Sequence, residues 1–242
     1  MMLRILKVIA AVSAVLGIMI FAAPSPALAN LEIQMSTDGG ATYTVEAQAA
    51  SGGTATFTGT VGGLSFNVTA TDSNSPGAPT KAILEGTTLN VQNDTASTAT
   101  VLVKLGDTGF TAPTAPPTVM MSSHIGGSVT TGGASNALTF QSYVDPANGQ
   151  NTQAGTTTGA QSPNITVATG SFSSDAFKTI PTLASPYSIT EFFSITLSAA
   201  GRFGFQSNTQ LTPLPEPATM AGALSALPML GLYYLRRRRA RA

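Results

Sequence analysis

His124 is the only imidazole in a chain of 242 residues, and cysteine is absent. Together these exclude a thiol nucleophile, a thiolate metal site, a disulfide scaffold and any centre built on two imidazoles. A Ser-His-acid triad is the nucleophilic arrangement left open. His124 stands in Met121-Ser122-Ser123-His124-Ile125-Gly126-Gly127, without a Gly-x-Ser-x-Gly elbow anywhere in the chain. A lone histidine after a strand reads as an edge or loop residue, so no catalytic residue is assigned and no enzyme is expected. Asp72-Ser73-Asn74-Ser75-Pro76-Gly77 begins like a calcium loop, but the twelfth position, where a bidentate acid belongs, is Ile83. The other acids are scattered and define neither a metal site nor a glycosidase pair. No phosphate-cradling loop or dinucleotide fingerprint is present, so no cofactor is expected.

Ser36-Thr37-Asp38-Gly39-Gly40-Ala41-Thr42-Tyr43 resembles an Asp-box, the Ser-x-Asp-x-Gly-x-Thr-aromatic hairpin of sialidases and other secreted β-proteins. Its role is mechanical: Asp38 can accept from turn amides, Gly39 and Gly40 supply positive φ, and Tyr43 packs back on the turn. Sialidases carry several copies and arginines for the sialic carboxylate; this chain has one copy and no arginine cluster in that region. Sugar sites favour flat aromatic platforms, tryptophan above all. There is no tryptophan, and Tyr43, Tyr143 and Tyr187 fit strand or core positions.

The elements that position these residues read as strands. Leu31, Ile33 and Met35 alternate with polar partners, as do Tyr43, Val45 and Ala47; Leu64, Phe66, Val68 and Ala70; and Val101, Val103 and Leu105. Ile189, Phe193, Ile195 and Leu197 share one parity, and Ala200-Gly201 predicts a turn closing a last hairpin with Phe203-Gly204-Phe205. Weaker strands are expected around Phe57, Leu89–Val91, Val119–Met121, Leu138–Val144 and Ile165–Val167. No helical period stands out between residues 30 and 214, and no fixed-period repeat occurs. The expectation is an all-β antiparallel sandwich, jelly-roll or immunoglobulin-like. The polar stretch Asp145–Pro163 is long for a compact domain and reads as either mobile or a binding loop; with no aromatic and one charge, mobility is the expectation.

The two ends of the chain read as processing segments. Arg4 and Lys7 precede Val8–Ala23, an apolar stretch without a charge; Pro24 and Pro26 then break any helix ahead of Ala27-Leu28-Ala29. Small side chains at Ala27 and Ala29 suit a signal peptidase, which predicts a signal peptide over 1–29 and a mature start at Asn30. At the other end, 218–235 is uncharged and about 27 Å long as a helix, enough for a thin bilayer. Arg236, Arg237, Arg238, Arg239 and Arg241 follow, and the positive-inside bias keeps them cytoplasmic as a stop-transfer anchor in the inner membrane. Pro215-Glu216-Pro217 stands just before, extended and short of backbone donors, a form a peptidase can engage.

These three parts in order resemble the PEP-CTERM sorting signal, over Pro215–Ala242. The resemblance implies an exosortase as processing partner, acting near Pro215, Glu216 and Pro217, and a role linked to exopolysaccharide. Pro228 interrupts the helix, and Tyr233 and Tyr234 suit an interfacial position. A sortase signal shares the Leu214-Pro215 start but needs a Thr-Gly pair that is missing; a plain uncleaved anchor remains a third reading.

The formal net charge of zero is a sum over three segments with different destinies. Residues 30–214 hold four cations against ten acids, a net of −6; the arginines belong to the ends. A mildly acidic domain is a poor binder of nucleic acid, and none is expected as a partner. The chain is therefore expected to have three parts: 1–29, a sandwich over 30–214, and the sorting signal 215–242. The functional expectation is an exported, non-catalytic bacterial surface or extracellular-matrix protein serving envelope, exopolysaccharide or biofilm. The alternative is a secreted carbohydrate-binding or adhesin module.

Overall fold

The computed structural model describes residues 30–71 and 73–215. Twelve strands carry the fold: β1 (Asn30–Ser36), β2 (Thr44–Ala50), β3 (Ala55–Val61), β4 (Leu64–Thr71), β5 (Ala82–Asn93), β6 (Ala99–Phe110), β7 (Val119–Thr131), β8 (Ala137–Asp145), β9 (Thr156–Thr157), β10 (Gly170–Ile180), β11 (Tyr187–Leu197) and β12 (Arg202–Pro213). They pair antiparallel in two six-stranded sheets, β2-β1-β6-β11-β8-β9 and β10-β7-β12-β5-β4-β3. No helix occurs among the described residues.

From β5 onward the chain changes sheet at every connection except β8 to β9. The resulting orders, β6-β11-β8-β9 facing β5-β12-β7-β10, are those of a jelly roll. The hairpins β1–β2 and β3–β4 extend one edge of each sheet. Of the two sandwich topologies compatible with the strand periodicity, the jelly roll is the one formed.

Alternation builds the core. On β4, Leu64, Phe66, Val68 and Ala70 are buried while Asn67 is exposed on the opposite face. Phe193 stacks on Phe140 within one sheet at 5.0 Å and meets Phe205 of the other at 5.4 Å, so the rings tie the layers together.

Two sequence expectations are corrected. β11 and β12 are not a hairpin: they lie in different sheets, and Ser198–Gly201 arches between the layers. Asn136 holds the arch, its Oδ1 accepting from the Ser198 amide at 2.9 Å and hydroxyl at 2.8 Å. Ile165–Val167 is loop rather than strand, although Ile165 is buried in the core. Residues 145–163 lie against the first sheet. Gln150 Nε2 donates to the Gly106 carbonyl at 3.0 Å, and Asn151, only 3 % exposed, sits over Gly106.

Candidate functional site

The outward face of the second sheet gathers the polar groups that strand register brings together. Register aligns Asp175 with His124, His124 with Asn208, and Asn208 with Glu85, one row across β10, β7, β12 and β5. His124 Nδ1 and Asp175 Oδ1 are 2.8 Å apart, and Asn208 Nδ2 donates to Glu85 Oε1. Two rows further along, Asn67, Asn90, Gly204 and Ser128 align across β4, β5, β12 and β7.

Glycine makes this face concave. Gly204 lies in the middle of β12 with no side chain; a Cβ there would come within 2.4 Å of Asn90 Oδ1. Gly126 and Gly127 lie beside it on β7. The result is an open depression of about 340 Å³ lined by Thr87, Thr88, Asn90, Ser128 and Gln206 over a glycine floor. It adjoins a hollow of about 160 Å³ at Glu85, His124 and Asn208, sharing Thr87 and Gln206. On the other side it shares Asn90 with a second hollow of about 160 Å³ at Asn67, Gln92 and Arg202. The three form one groove, polar in its middle and more apolar at the Arg202 end, where Phe66 and Val91 also line it. No charged side chain lines its middle; Arg202 stands at one end, and Glu85 with the His124–Asp175 pair at the other.

The groove contains two parts of a triad but not the third. Asp175 orients the His124 ring through Nδ1 and leaves Nε2 free of a hydroxyl partner among the described hydrogen bonds. Ser207 lines the same hollow, but its hydroxyl points inward and donates to Glu191 Oε2 at 2.5 Å. The nucleophile position is thus not filled by the serine that lines this hollow. Among the described residues, no three His, Asp or Glu side chains converge as a metal site.

Beneath the groove floor a buried polar chain crosses the core. Gln161 Nε2 donates to Ser123 Oγ at 2.8 Å. Ser123 and Ser142 hydroxyls are 2.7 Å apart, and those of Ser142 and Thr209 are 2.6 Å apart. Thr209 Oγ1 then donates to Glu191 Oε1 at 2.8 Å. Glu191 is fully buried, and desolvation pushes its carboxyl up to about 8 against the lowering effect of the Ser207 and Thr209 hydroxyls; nearby Glu85 adds to the rise.

The Asp-box-like segment is a turn stabiliser. Ser36 Oγ donates to Asp38 Oδ1 at 2.7 Å, the Thr42 amide to the same oxygen at 3.0 Å, and the Thr42 hydroxyl to Oδ2 at 2.5 Å. These donors, Thr42 foremost, hold the Asp38 carboxyl well below the usual carboxylate range. Lys104 Nζ sits 3.8 Å from the Tyr43 ring centroid.

Of the residues predicted for sorting, Pro215 alone lies within the described structure. It is exposed, one residue past Leu214, whose amide donates to the Thr118 carbonyl at 2.7 Å. Glu216, Pro217, Arg236, Arg237, Arg238, Arg239 and Arg241 lie outside the described residues, as do Ala27 and Ala29. Among the described residues no helix is long and apolar enough to cross a membrane. Sequence reasoning missed Asp175, Glu85, Asn208 and Asn90 as groove residues. Their separations in sequence are long, and no local pattern marks them; only register brings them together.

No family model matches the chain, and no curated protein matches it. Solved structures similar to it include the CBM22-1 xylan-binding domain of Paenibacillus barcinonensis Xyn10C. That match has 12% identity and TM-score 0.28, and covers 68% of this chain and 87% of that one. The mannan-recognising carbohydrate-binding module TmCBM27 matches at 8% identity and TM-score 0.28, over 63% of this chain and 85% of that one. The glycoside hydrolase domain of Endo-D from Streptococcus pneumoniae R6 matches at 9% identity and TM-score 0.31, over 53% of this chain and 18% of that one. Likeness this distant does not bear on function.

Proposed function

We propose that this chain is an exported, non-catalytic bacterial surface or matrix protein whose jelly roll holds exopolysaccharide in the groove on its second sheet. The observation that carries the binding part is the uncharged middle of that groove: amides and hydroxyls over a glycine floor, with charge only at the ends. Planar amides and hydroxyls match the donors and acceptors of sugar hydroxyls, and a floor of bare backbone lets a chain approach closely. The groove is open and lacks a ring platform, which favours weak, repeated contacts along a polymer over tight capture of one small sugar.

The sorting part rests on the tail. A signal peptidase releases Asn30, the apolar helix parks the chain in the inner membrane, and an exosortase processes it near Pro215, Glu216 and Pro217. The sandwich supports this reading by ending its last strand at Pro213, immediately before that triplet.

Two experiments test the two parts separately. In affinity electrophoresis through neutral polysaccharide gels, the full chain is expected to be retarded. Asn90→Ala and Gly204→Val are each expected to reduce the retardation several-fold, with an unchanged melting temperature for Asn90→Ala. Equal mobility of all three in every gel discards the groove. For sorting, the mature protein from cells with and without exosortase is weighed by mass spectrometry; a wild-type form still ending at Ala242 discards the processing step.

A further inference from the structure

Of the four sheet edges, three are short: β9 has two residues, and β2 and β3 have seven each. β2 and β3 also approach one another and close that flank of the sandwich. The fourth edge is β10, with eleven residues, Gly170–Ile180. It pairs with β7 from Gly170↔Val129 to Ile180↔Val119 without a register shift. Among the described residues, no backbone hydrogen bond reaches its other side.

Natural sheets blunt such an edge with proline, bulges, charge or a covering segment. β10 has no proline, no bulge, and the charges Asp175 and Lys178 only. Asp175 is engaged by His124. Phe177 is 63 % exposed, the most exposed large hydrophobic side chain among the described residues. A long, straight, nearly neutral edge with an apolar ring standing beside it is a template for another strand.

We infer that β10 is a self-association edge: two copies of this chain pair β10 with β10 antiparallel, joining their second sheets into one of twelve strands. A two-fold pairing keeps residues of equal parity opposite one another. Centring it on Asp175 sets two carboxylates face to face, which is destabilising. Centring it on Phe177 sets the two exposed rings together, pairs Asp175 with Thr179 of the second copy, and gives seven rungs over Ser174–Ile180. Cross-strand aromatic pairs are among the favourable ones. The two grooves then lie on the same side of one continuous sheet, so a polymer can be held by both copies at once. The pairing itself does not depend on what the groove binds.

The absence of native cysteine makes the test clean. The full chain in detergent is expected to run as two copies by light scattering. Phe177→Cys is expected to give a disulfide dimer on air oxidation, because directly opposed residues in an antiparallel pair have Cα separations within disulfide reach. Thr58→Cys on β3 serves as the control and is expected to stay a monomer on non-reducing gels. Phe177→Lys, and independently Thr179→Lys, are expected to halve the particle mass without changing the melting temperature. A wild-type chain that runs as one copy overturns the proposal. So does a dimer that both lysine variants leave intact, or cross-linking at Thr58→Cys as strong as at Phe177→Cys.

Discussion

Glu191 is an acid placed where an apolar residue is expected. It shares the inward parity of Ile189 and Phe193 on β11, and its two oxygens take hydroxyls from Ser207 and Thr209 on the facing sheet. A buried acid is tolerated when it is neutral and fully hydrogen-bonded. Its folded value of about 8 lies above the ordinary value of 4.5, so folding favours the protonated form. The contribution is fully present below about pH 4.5 and is progressively lost as pH rises through 8. The slope from this one group is at most about 1.4 kcal/mol per pH unit. Thermal melts between pH 5 and 8 are therefore expected to fall with rising pH, and Glu191→Gln to flatten that fall. A slope that survives Glu191→Gln intact assigns the pH dependence to another group.

At the scale of elements, the segment after β8 carries the sharpest test. Asn151 has φ 49°, a left-handed conformation that asparagine tolerates better than alanine. Its Nδ2 donates to buried Glu32 Oε2 at 3.3 Å. Asn151→Ala loses that bond and strains the backbone, which costs about 1–3 kcal/mol. Hydrogen exchange of amides 147–155 is expected to be slow in the native chain and markedly faster in the variant. Fast exchange in both restores the mobile loop that composition suggests. Composition misleads here because Asn, Gln, Gly and Thr are read as solvated, whereas a bare Gly106 beneath gives the Asn151 amide a seat against the sheet. The strands β1, β4, β6 and β11 were legible for the opposite reason: most of their large apolar residues share one parity, with Leu102 and Phe192 on the other face. β10 was not legible. Its inward positions are Phe172, Ser174 and Ala176, its largest outward residue is Phe177, and an edge strand needs little apolar surface to stay in register with β7. The false hairpin at Ala200-Gly201 shows the limit of turn chemistry, which specifies a reversal but not whether the chain returns to the same sheet.

Across the whole molecule, both junctions with the predicted processing segments fall at one end of the sandwich. β12 finishes there, with Leu211 opposite Ala82 and Pro213 opposite Val119. β1 starts there, with Asn30 opposite Ala50 and Glu32 opposite Gly106. Ser51 and Ser75 hydroxyls reach Asp107 and Thr108 from neighbouring loops at the same end. The loops 73–81, 111–118 and 181–186 at this end contain seven prolines and a single charge, Lys81. These three loops carry little charge, and the acids at the same end, Glu32, Asp107 and Asp145, are buried, so little charge faces outward from them. β12 is hydrogen-bonded on both sides, and the Leu214 amide is still tied to Thr118, so no slack separates the fold from Pro215. A protease needs its substrate extended and unpaired, and a central strand is the last segment to open locally. Processing of the folded chain is therefore expected to cut beyond Leu214, at Pro215 or further on, leaving β12 whole. Mass spectrometry of the mature form is expected to find its C-terminus at Pro215 or beyond. Inserting a flexible spacer of about ten residues between Leu214 and Pro215 is expected to leave the sandwich's melting temperature unchanged. A mature terminus inside residues 202–213 contradicts this account, because a jelly roll that has lost the middle of its second sheet does not hold its core.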